Sequence, residues 1–362
     1  MANKKENSFM PVIAIPPGET IKENMEFLGM TQEEMAIRLG MTPKHLCNIL
    51  NGNAPITYET ALKLESVIGP SAAFWMNLEV SYQLDKIRLA DQDKFREELE
   101  IAKEIPYKKM SELGWLENTG DRNQRVKNLR DFFGVARLYL IQNSYAAVFR
   151  KHKQRMEISD FAVLAWLRKA ELESRSIEVQ EVSRRKLKRL IPRFRDLTME
   201  EPSVFYPELQ KLCARCGVAL VLVECLPKTY IGGATMWRKD KAILALSVRG
   251  KRADIFWFTF FHELAHIITH KKKEFHISFE NEEDGADQIA RTYLIPDKLY
   301  QTFVEAYPYR DKEAIINYAQ KIGIAPCILV GRLMYDKLVD YQHYSDLRPS
   351  FEIVSKEAIT AR

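Results

Sequence analysis

The chain has 362 residues, of which 46% are hydrophobic and 28% charged, and a net charge of +5 at pH 7. These values are ordinary for a soluble globular protein with room for two or three domains, each with its own core. No apolar run approaches the length of a membrane span, which excludes a membrane-embedded class. Met10–Ile15 is short and is followed by Pro16-Pro17, so no signal peptide is expected, and five cysteines suit reduced thiols in a cytoplasm.

After an N-terminal tail (1–18), residues 19–88 read as a helical domain whose first sixty residues hold five short helices. Thr31-Gln32-Glu33-Glu34 is a capping box that opens one helix; Met35, Ala36 and Leu39 form its inner face, and Gly40 ends it. Thr42 caps the next, with Pro43 at its first position. Leu46, Ile49 and Leu50 point inward, Lys44, Asn48 and Asn51 fall opposite, and His45 and Cys47 flank them. Two helices joined by a tight glycine-containing turn make a helix-turn-helix, whose second helix enters the DNA major groove. Gln32, Thr42, Lys44, His45, Asn48 and Asn51 are the candidate DNA contacts, Asn and Lys suiting base edges and Gln32 a phosphate.

This stretch resembles the Cro/repressor-type helix-turn-helix and, more narrowly, the HigA-type antitoxins. Pro17-Gly18-Glu19, Asn51 to Thr57 and Ser71 to Leu78 carry the likeness. The resemblance implies operator DNA as partner, a homodimer, and a cognate toxin. Charge pulls the other way. From Glu19 to Glu79 the chain has four basic and eight acidic residues, a net charge of −4. Phosphate neutralisation dominates DNA affinity, so a protein-binding module is the competing reading.

Residues 89–195 read as a charged helical linker region. Arg122, Arg125, Lys127 and Arg130 form one basic group; Arg150, Lys151, Lys153 and Arg155 form a second; Arg184, Arg185, Lys186, Lys188, Arg189, Arg193 and Arg195 form a third. Such runs are usually solvated helix faces, and they also suit DNA or an acidic partner. Trp115, Phe132, Phe133, Trp166 and Leu167 argue for a packed region. Pro192 and the stretch 196–202 mark the expected boundary with a domain at 196–345, followed by a C-terminal tail (346–362).

In that domain Cys213 and Cys216 form a lone CxxC, read as buried small hydrophobes rather than a metal or redox pair. Ala242–Ser247 reads as a strand, either an ordinary core strand or the candidate edge along which a peptide backbone would pair, which periodicity alone does not separate. Asp254 is an expected N-cap, and Ile255 to Phe261 continues as a helix that is apolar all round, hence buried. On that helix stands His262-Glu263-Leu264-Ala265-His266, an HExxH motif. Residues four apart share a helix face, about 40° apart. Both imidazoles therefore reach one zinc ion, and Glu263 is the catalytic base. Buried histidines and a glutamate need partners, and a metal provides them. Thr269 and Lys272 stand where a metzincin has Gly and His, which excludes that class. Glu283-x-x-x-Asp287 lies downstream on one helical face, which makes Glu283 the natural third metal ligand, against the reading of a solvated acidic run (Glu280, Glu282, Glu283, Asp284), and Asp287 the group that orients a zinc-bound histidine. His270 is read as a helix-end residue, near the lysines 271–273, with His276 close by.

Ile231-Gly232-Gly233-Ala234, the run Phe256 to Thr259, HELAH, Glu283-x-x-Ala286-Asp287, Leu294-Ile295-Pro296 and Ile324 to Leu333 together resemble the ImmA/IrrE family of metallopeptidases. The likeness covers roughly 196–345. It implies a compact zincin-like domain of the gluzincin kind, with a small sheet beside the active-site helix. It also implies cleavage of regulatory proteins, such as repressors or other transcriptional regulators.

The expected fold class is therefore mainly α: an all-α helix-turn-helix domain, a helical middle region and an α+β gluzincin domain. The expected function is an antitoxin- or repressor-like regulator with a zinc-dependent endopeptidase behind it. The alternative is a non-catalytic antitoxin or repressor whose zinc is structural or senses a signal. Intact Glu263 favours catalysis, because a structural zinc has no need of a base.

Overall fold

The structure, a computed structural model, describes residues 13–144, 159–238, 241–247, 252–269, 275–279, 285–355 and 358–361. Glu283, His270, the lysines 271–273 and the basic group Arg150, Lys151, Lys153 and Arg155 lie outside them. The chain divides into two compact units, residues 1–100 and 101–362. It is mainly helical with a small sheet, and among the described residues no single helix is long and apolar enough to cross a membrane.

The first unit holds α1 (Pro17–Phe27), α2 (Gln32–Arg38), α3 (Pro43–Leu50), α4 (Tyr58–Ile68) and α5 (Ala72–Ala90). Thr31 Oγ1 accepts the Glu34 N–H at 3.2 Å and caps α2. The expected capping box is only half made, because the Glu34 carboxylate pairs with Arg38 at 2.6 Å. Thr42 caps α3 in the same way, accepting the His45 N–H at 3.2 Å, with Pro43 at the first turn. Gly40 turns the chain between the two helices at φ +61°, a conformation glycine adopts without strain. The core gathers Ile21, Met35, Leu46, Ile49, Leu64 and Trp75. One of the eight acids counted in this module is not a surface charge: Glu79 is buried, accepting the Ile56 N–H at 3.0 Å and a Gln83 side-chain N–H at 2.7 Å. It ties the loop after α3 to α5.

α6 (Gln92–Glu104) follows in sequence. The second unit continues with α7 (Tyr107–Glu112), α8 (Arg122–Phe133), α9 (Leu140–Ser144), α10 (Asp160–Ser174), α11 (Arg184–Asp196) and α12 (Pro202–Ala214). Strands β1 (Val218–Leu222), β2 (Ile231–Arg238) and β3 (Lys241–Leu246) come next, then α13 (Ala253–Thr269), β4 (Phe275–Phe279), α14 (Gly285–Leu294), α15 (Asp297–Ala306), α16 (Lys312–Lys321) and α17 (Pro326–Tyr335). A hairpin of β5 (Phe351–Ser355) and β6 (Ala358–Ala361) completes it.

The main sheet has the order β1-β3-β2-β4, with β1 parallel to β3 and both other pairs antiparallel. Alternate residues point to opposite faces. Leu220, Leu222, Leu244 and Leu246 join the core around α13, while Ala219, Val221, Ile243 and Ala245 are buried on the other face. α10 packs against β1 and β3. It is fixed there by the Trp166 indole donating to the Val223 carbonyl at 3.2 Å, and by the Lys241 ammonium donating to the carbonyls of Ser174 and Ile177 at 2.9 and 2.6 Å. A sheet covered on both faces explains why β1 and β3 read as unbroken apolar runs.

Three expectations change. The strand at 242–247 is not an edge: β3 lies between β1 and β2, and β4 ends the sheet on that side. The boundary placed at 196 falls within one unit, because Leu187 and Phe194 of α11 belong to the same core as α13. An amphipathic helix reveals that it has a partner, not which one. The stretch after 345 is no tail. Phe351 packs with Phe205 and Phe256, at ring-centroid distances of 5.5 Å to each, and Arg348 reaches into the core to Asp254.

Candidate functional sites

α13 is buried nearly all round, with Phe256, Trp257, Phe260, Phe261, Leu264 and Ile267 in the core. Such a helix admits polar side chains only where neighbours satisfy them. At its start Asp254 lies inside the first turn, so it is not the N-cap expected. Its Oδ2 accepts from the Arg348 guanidinium at 3.0 and 2.7 Å, and both side chains are buried. A carboxylate there also suits the helix dipole.

Two turns on, His262 and His266 face one another, Nε2 to Nε2, at 2.9 Å. Asp287 of α14 stands 2.6 Å from His262 Nδ1. An ionised carboxylate only accepts, so His262 donates its Nδ1–H, and a neutral imidazole in that tautomer has its lone pair on Nε2. The two Nε2 atoms thus converge on one point. Two ligands of a tetrahedral zinc stand about 3.3 Å apart at ordinary Zn–N lengths, so this pair fits a zinc ion with a shift of a few tenths of an ångström. All three side chains are buried. Among the described residues no cluster of three His, Cys, Asp or Glu gathers in ligating position; the expected third ligand, Glu283, lies outside them.

Glu263 is fully buried and turned to the sheet. Its Oε2 accepts from the Thr235 hydroxyl at 2.8 Å. Two residues earlier on the same face of β2, Gly233 makes room for it. A Cβ at 233 would stand 2.8 Å from Glu263 Cγ, 2.9 Å from Oε1 and 2.9 Å from Thr259 Cγ2. Gly233 is therefore the gap through which the glutamate approaches the strand. Sequence reasoning missed Thr235. The available signal was a hydroxyl two residues after that glycine on an otherwise apolar strand, sharing its face by the period of two.

β4 runs antiparallel along the side of β2 that carries Gly233 to Met236. It takes the terminal place in the sheet that had been expected of β3. Cys213 and Cys216 are core residues, and burial pushes both thiols up from the ordinary range; the nearby Lys186 and Arg189 only partly oppose this at Cys216.

In the first unit Gln32, Thr42, Lys44, His45 and Asn51 are exposed and Asn48 is half-buried, while Leu46, Ile49 and Leu50 are buried opposite. Thr42 spends its hydroxyl on the cap of α3. Asn51 donates to Cys47 Sγ at 3.4 Å, and the Asn48 carbonyl accepts the Asn53 N–H at 2.8 Å. The polar face of α3 is thus presented on a fixed helix.

Comparison with known proteins agrees with this division. The helix-turn-helix family profile matches residues 21–74, and the peptidase M78 profile, described as an IrrE N-terminal-like domain, matches residues 219–334. The uncharacterized HTH-type transcriptional regulator YddM of Escherichia coli (strain K12) is 35% identical over 68 residues, 19% of this chain and 72% of that protein. Virulence-associated protein I of Dichelobacter nodosus is 33% identical over 82 residues, 22% of this chain and 73% of its own. Antitoxin HigA-1 of Vibrio cholerae is 28% identical over 89 residues, 24% of this chain and 80% of its own.

Proposed function

We infer the activity of a chain that belongs to the HTH-type transcriptional regulators and carries an IrrE N-terminal-like domain of the peptidase M78 family: it binds operator DNA through α3 and hydrolyses a peptide bond of a regulatory protein through α13. The convergence of His262 and His266 at 2.9 Å, with Asp287 behind and Glu263 alongside in sequence, supports this reading most.

His262 and His266 would hold a zinc ion, with Glu283 as the proposed third ligand. Zinc, when bound, supplies a Lewis acid for a peptide carbonyl and for water. Asp287 keeps His262 in the tautomer that presents Nε2. Glu263 takes a proton from water at its carboxylate and returns it to the leaving amine. The Thr235 hydroxyl at 2.8 Å fixes the plane of that carboxylate. Lys44, Asn48 and Asn51 read bases, Gln32, Thr42 and His45 hold register, and the protein acts as a homodimer on a pseudo-palindrome. A cognate toxin is a proposed partner by likeness to antitoxin HigA-1. The second reading, a zinc site that senses or only stabilises, is answered by the same test.

Cells producing the full chain are compared with cells producing Glu263→Gln, reading newly formed protein N-termini. The expected outcome is a set of cleaved termini present with the parent chain and absent with Glu263→Gln. Both proteins should purify with one zinc per chain, lost in the His262→Ala, His266→Ala variant. Identical termini with both chains would remove Glu263 as the base and leave the sensing reading.

A further inference from the structure

α11 is built against its own stability. Seven of its thirteen residues are basic and one, Asp196, is acidic. Arg184, Arg185 and Lys186 crowd the first turn, where the helix dipole disfavours cations. Arg185, Arg189 and Arg193 follow at intervals of four, and like charges at that spacing repel. Leu187 and Phe194 are buried on the inner side. Arg185, Lys186, Lys188, Arg189 and Arg193 are all exposed on the other. Among the described residues Arg185, Lys186, Lys188 and Arg189 make no ion pair, and Arg193 has Asp196 at 4.0 Å, an exposed and weak contact. Core packing needs the apolar side of this helix but not five cations in one sheet of charge on the outer side.

The first unit has the complementary problem. It carries the recognition helix, yet its charge from Glu19 to Glu79 is −4. Binding to duplex DNA draws much of its free energy from counterions released when cations neutralise phosphates. An acidic module earns little of that term.

We propose that the exposed face of α11 is a phosphate-binding surface for duplex DNA, supplying the sequence-independent affinity that the helix-turn-helix lacks. Arg185, Arg189 and Arg193 span about 12 Å of helix axis, the rise of three to four phosphates on one strand. Arginine forks suit phosphate oxygens, and Lys186 and Lys188 widen the charged strip. These contacts carry no base information, so they strengthen binding to every sequence alike. The inference rests on the DNA-binding reading of the first unit.

The test uses the full chain, an Arg185→Gln, Lys188→Gln, Arg189→Gln, Arg193→Gln variant, and a control with the same charge change at exposed residues outside every basic group: Lys298→Gln, Arg310→Gln, Lys321→Gln, Lys337→Gln. Affinity for the chain's own promoter and for an unrelated duplex is measured between about 50 and 200 mM salt. Circular dichroism and zinc content confirm that each variant is folded. In the α11 variant the slope of log affinity against log salt should fall by about 3. Affinity should drop at least about tenfold on both duplexes, leaving the ratio between them unchanged. The control should keep the parent slope. An unchanged slope in the α11 variant, or an equal fall in the control, would overturn the proposal. Absence of DNA binding by every chain would overturn the DNA-binding reading with it.

Discussion

The two helices that carry the candidate chemistry, α3 and α13, present polar residues in opposite ways. α3 has one buried side, Leu46, Ile49 and Leu50, and sets Lys44, His45 and Asn51 out to solvent. Its caps, Thr42 and Pro43, are its own neighbours in sequence. α13 has no such wet side for its motif. His262, Glu263 and His266 are all buried, and their partners arrive from elsewhere: Asp287 from α14, Thr235 from β2, and the space at Gly233. An exposed recognition surface needs only a helix with the right face outward. A buried polar group needs a matched partner for each polar atom, so its site is assembled by the whole unit and fails with it.

That contrast can be broken most strongly at Arg348. Arg348→Ala leaves the Asp254 carboxylate buried without its guanidinium, and loss of one partner of a buried pair costs about 3–5 kcal/mol. Thermal unfolding should show the transition of the second unit moved down and that of the first unit unmoved. Equal movement of both would mean that the units do not unfold separately. Gly233→Ala places a methyl group against Glu263 and Thr259, and overpacking of this kind costs about 1–3 kcal/mol. The second transition should fall and proteolysis should be lost, with operator binding retained; a fully active Gly233→Ala protein would show that Glu263 has room to spare.

Asn48→Ala tests the other side. If Asn48 makes a bidentate base contact, operator affinity should weaken by about 1–3 kcal/mol, with zinc content and melting of the second unit unchanged. Footprinting at the parent affinity would show that Asn48 does not read a base.

The smallest effect concerns pH. Burial pushes the Glu171 carboxyl up, but Arg238 at 3.4 Å and Arg168 at 3.0 Å outweigh it and hold the group below the usual carboxylate range. A depressed folded value contributes stability above the unfolded pKa and loses it as pH falls through the folded one. Acid titration of the second transition should therefore be shallower in Glu171→Gln below the ordinary carboxylate range. The difference should be small, because the group is partly solvated. Identical acid limbs would remove Glu171 from the anchoring of α10.

The same contrast sets how much was legible in advance. In the first unit nearly every determinant is local: the caps Thr31 and Thr42, the turn at Gly40 and the spacing of Leu46, Ile49 and Leu50. Glu79 escaped because nothing in its neighbourhood announces that Ile56, far back in the chain, needs an acceptor. In the second unit HExxH and the apolar run around it gave the helix and its burial, and the spacing singled out Asp287 without saying which of the two histidines it faces; it lies against His262. Periodicity could not rank strands within a sheet, so β3 stood as a candidate edge. Nor could it join Arg348 to Asp254, since a pair separated by ninety-four positions leaves no local trace.

The position of Arg348 and Phe351 also sets an order in time. A chain emerges from the ribosome N-terminal end first, at about 5–20 residues per second. The core of the first unit draws on nothing beyond Leu78, with Glu79 beside it tying the loop after α3, so a helix-turn-helix module is complete while most of the chain is still unmade. The core around α13 cannot close until Phe351 arrives, nor Asp254 be neutralised before Arg348. The helix-turn-helix module is therefore complete before the core around the HExxH helix can close, and a chain cut short after that helix keeps the first unit without the core of the second.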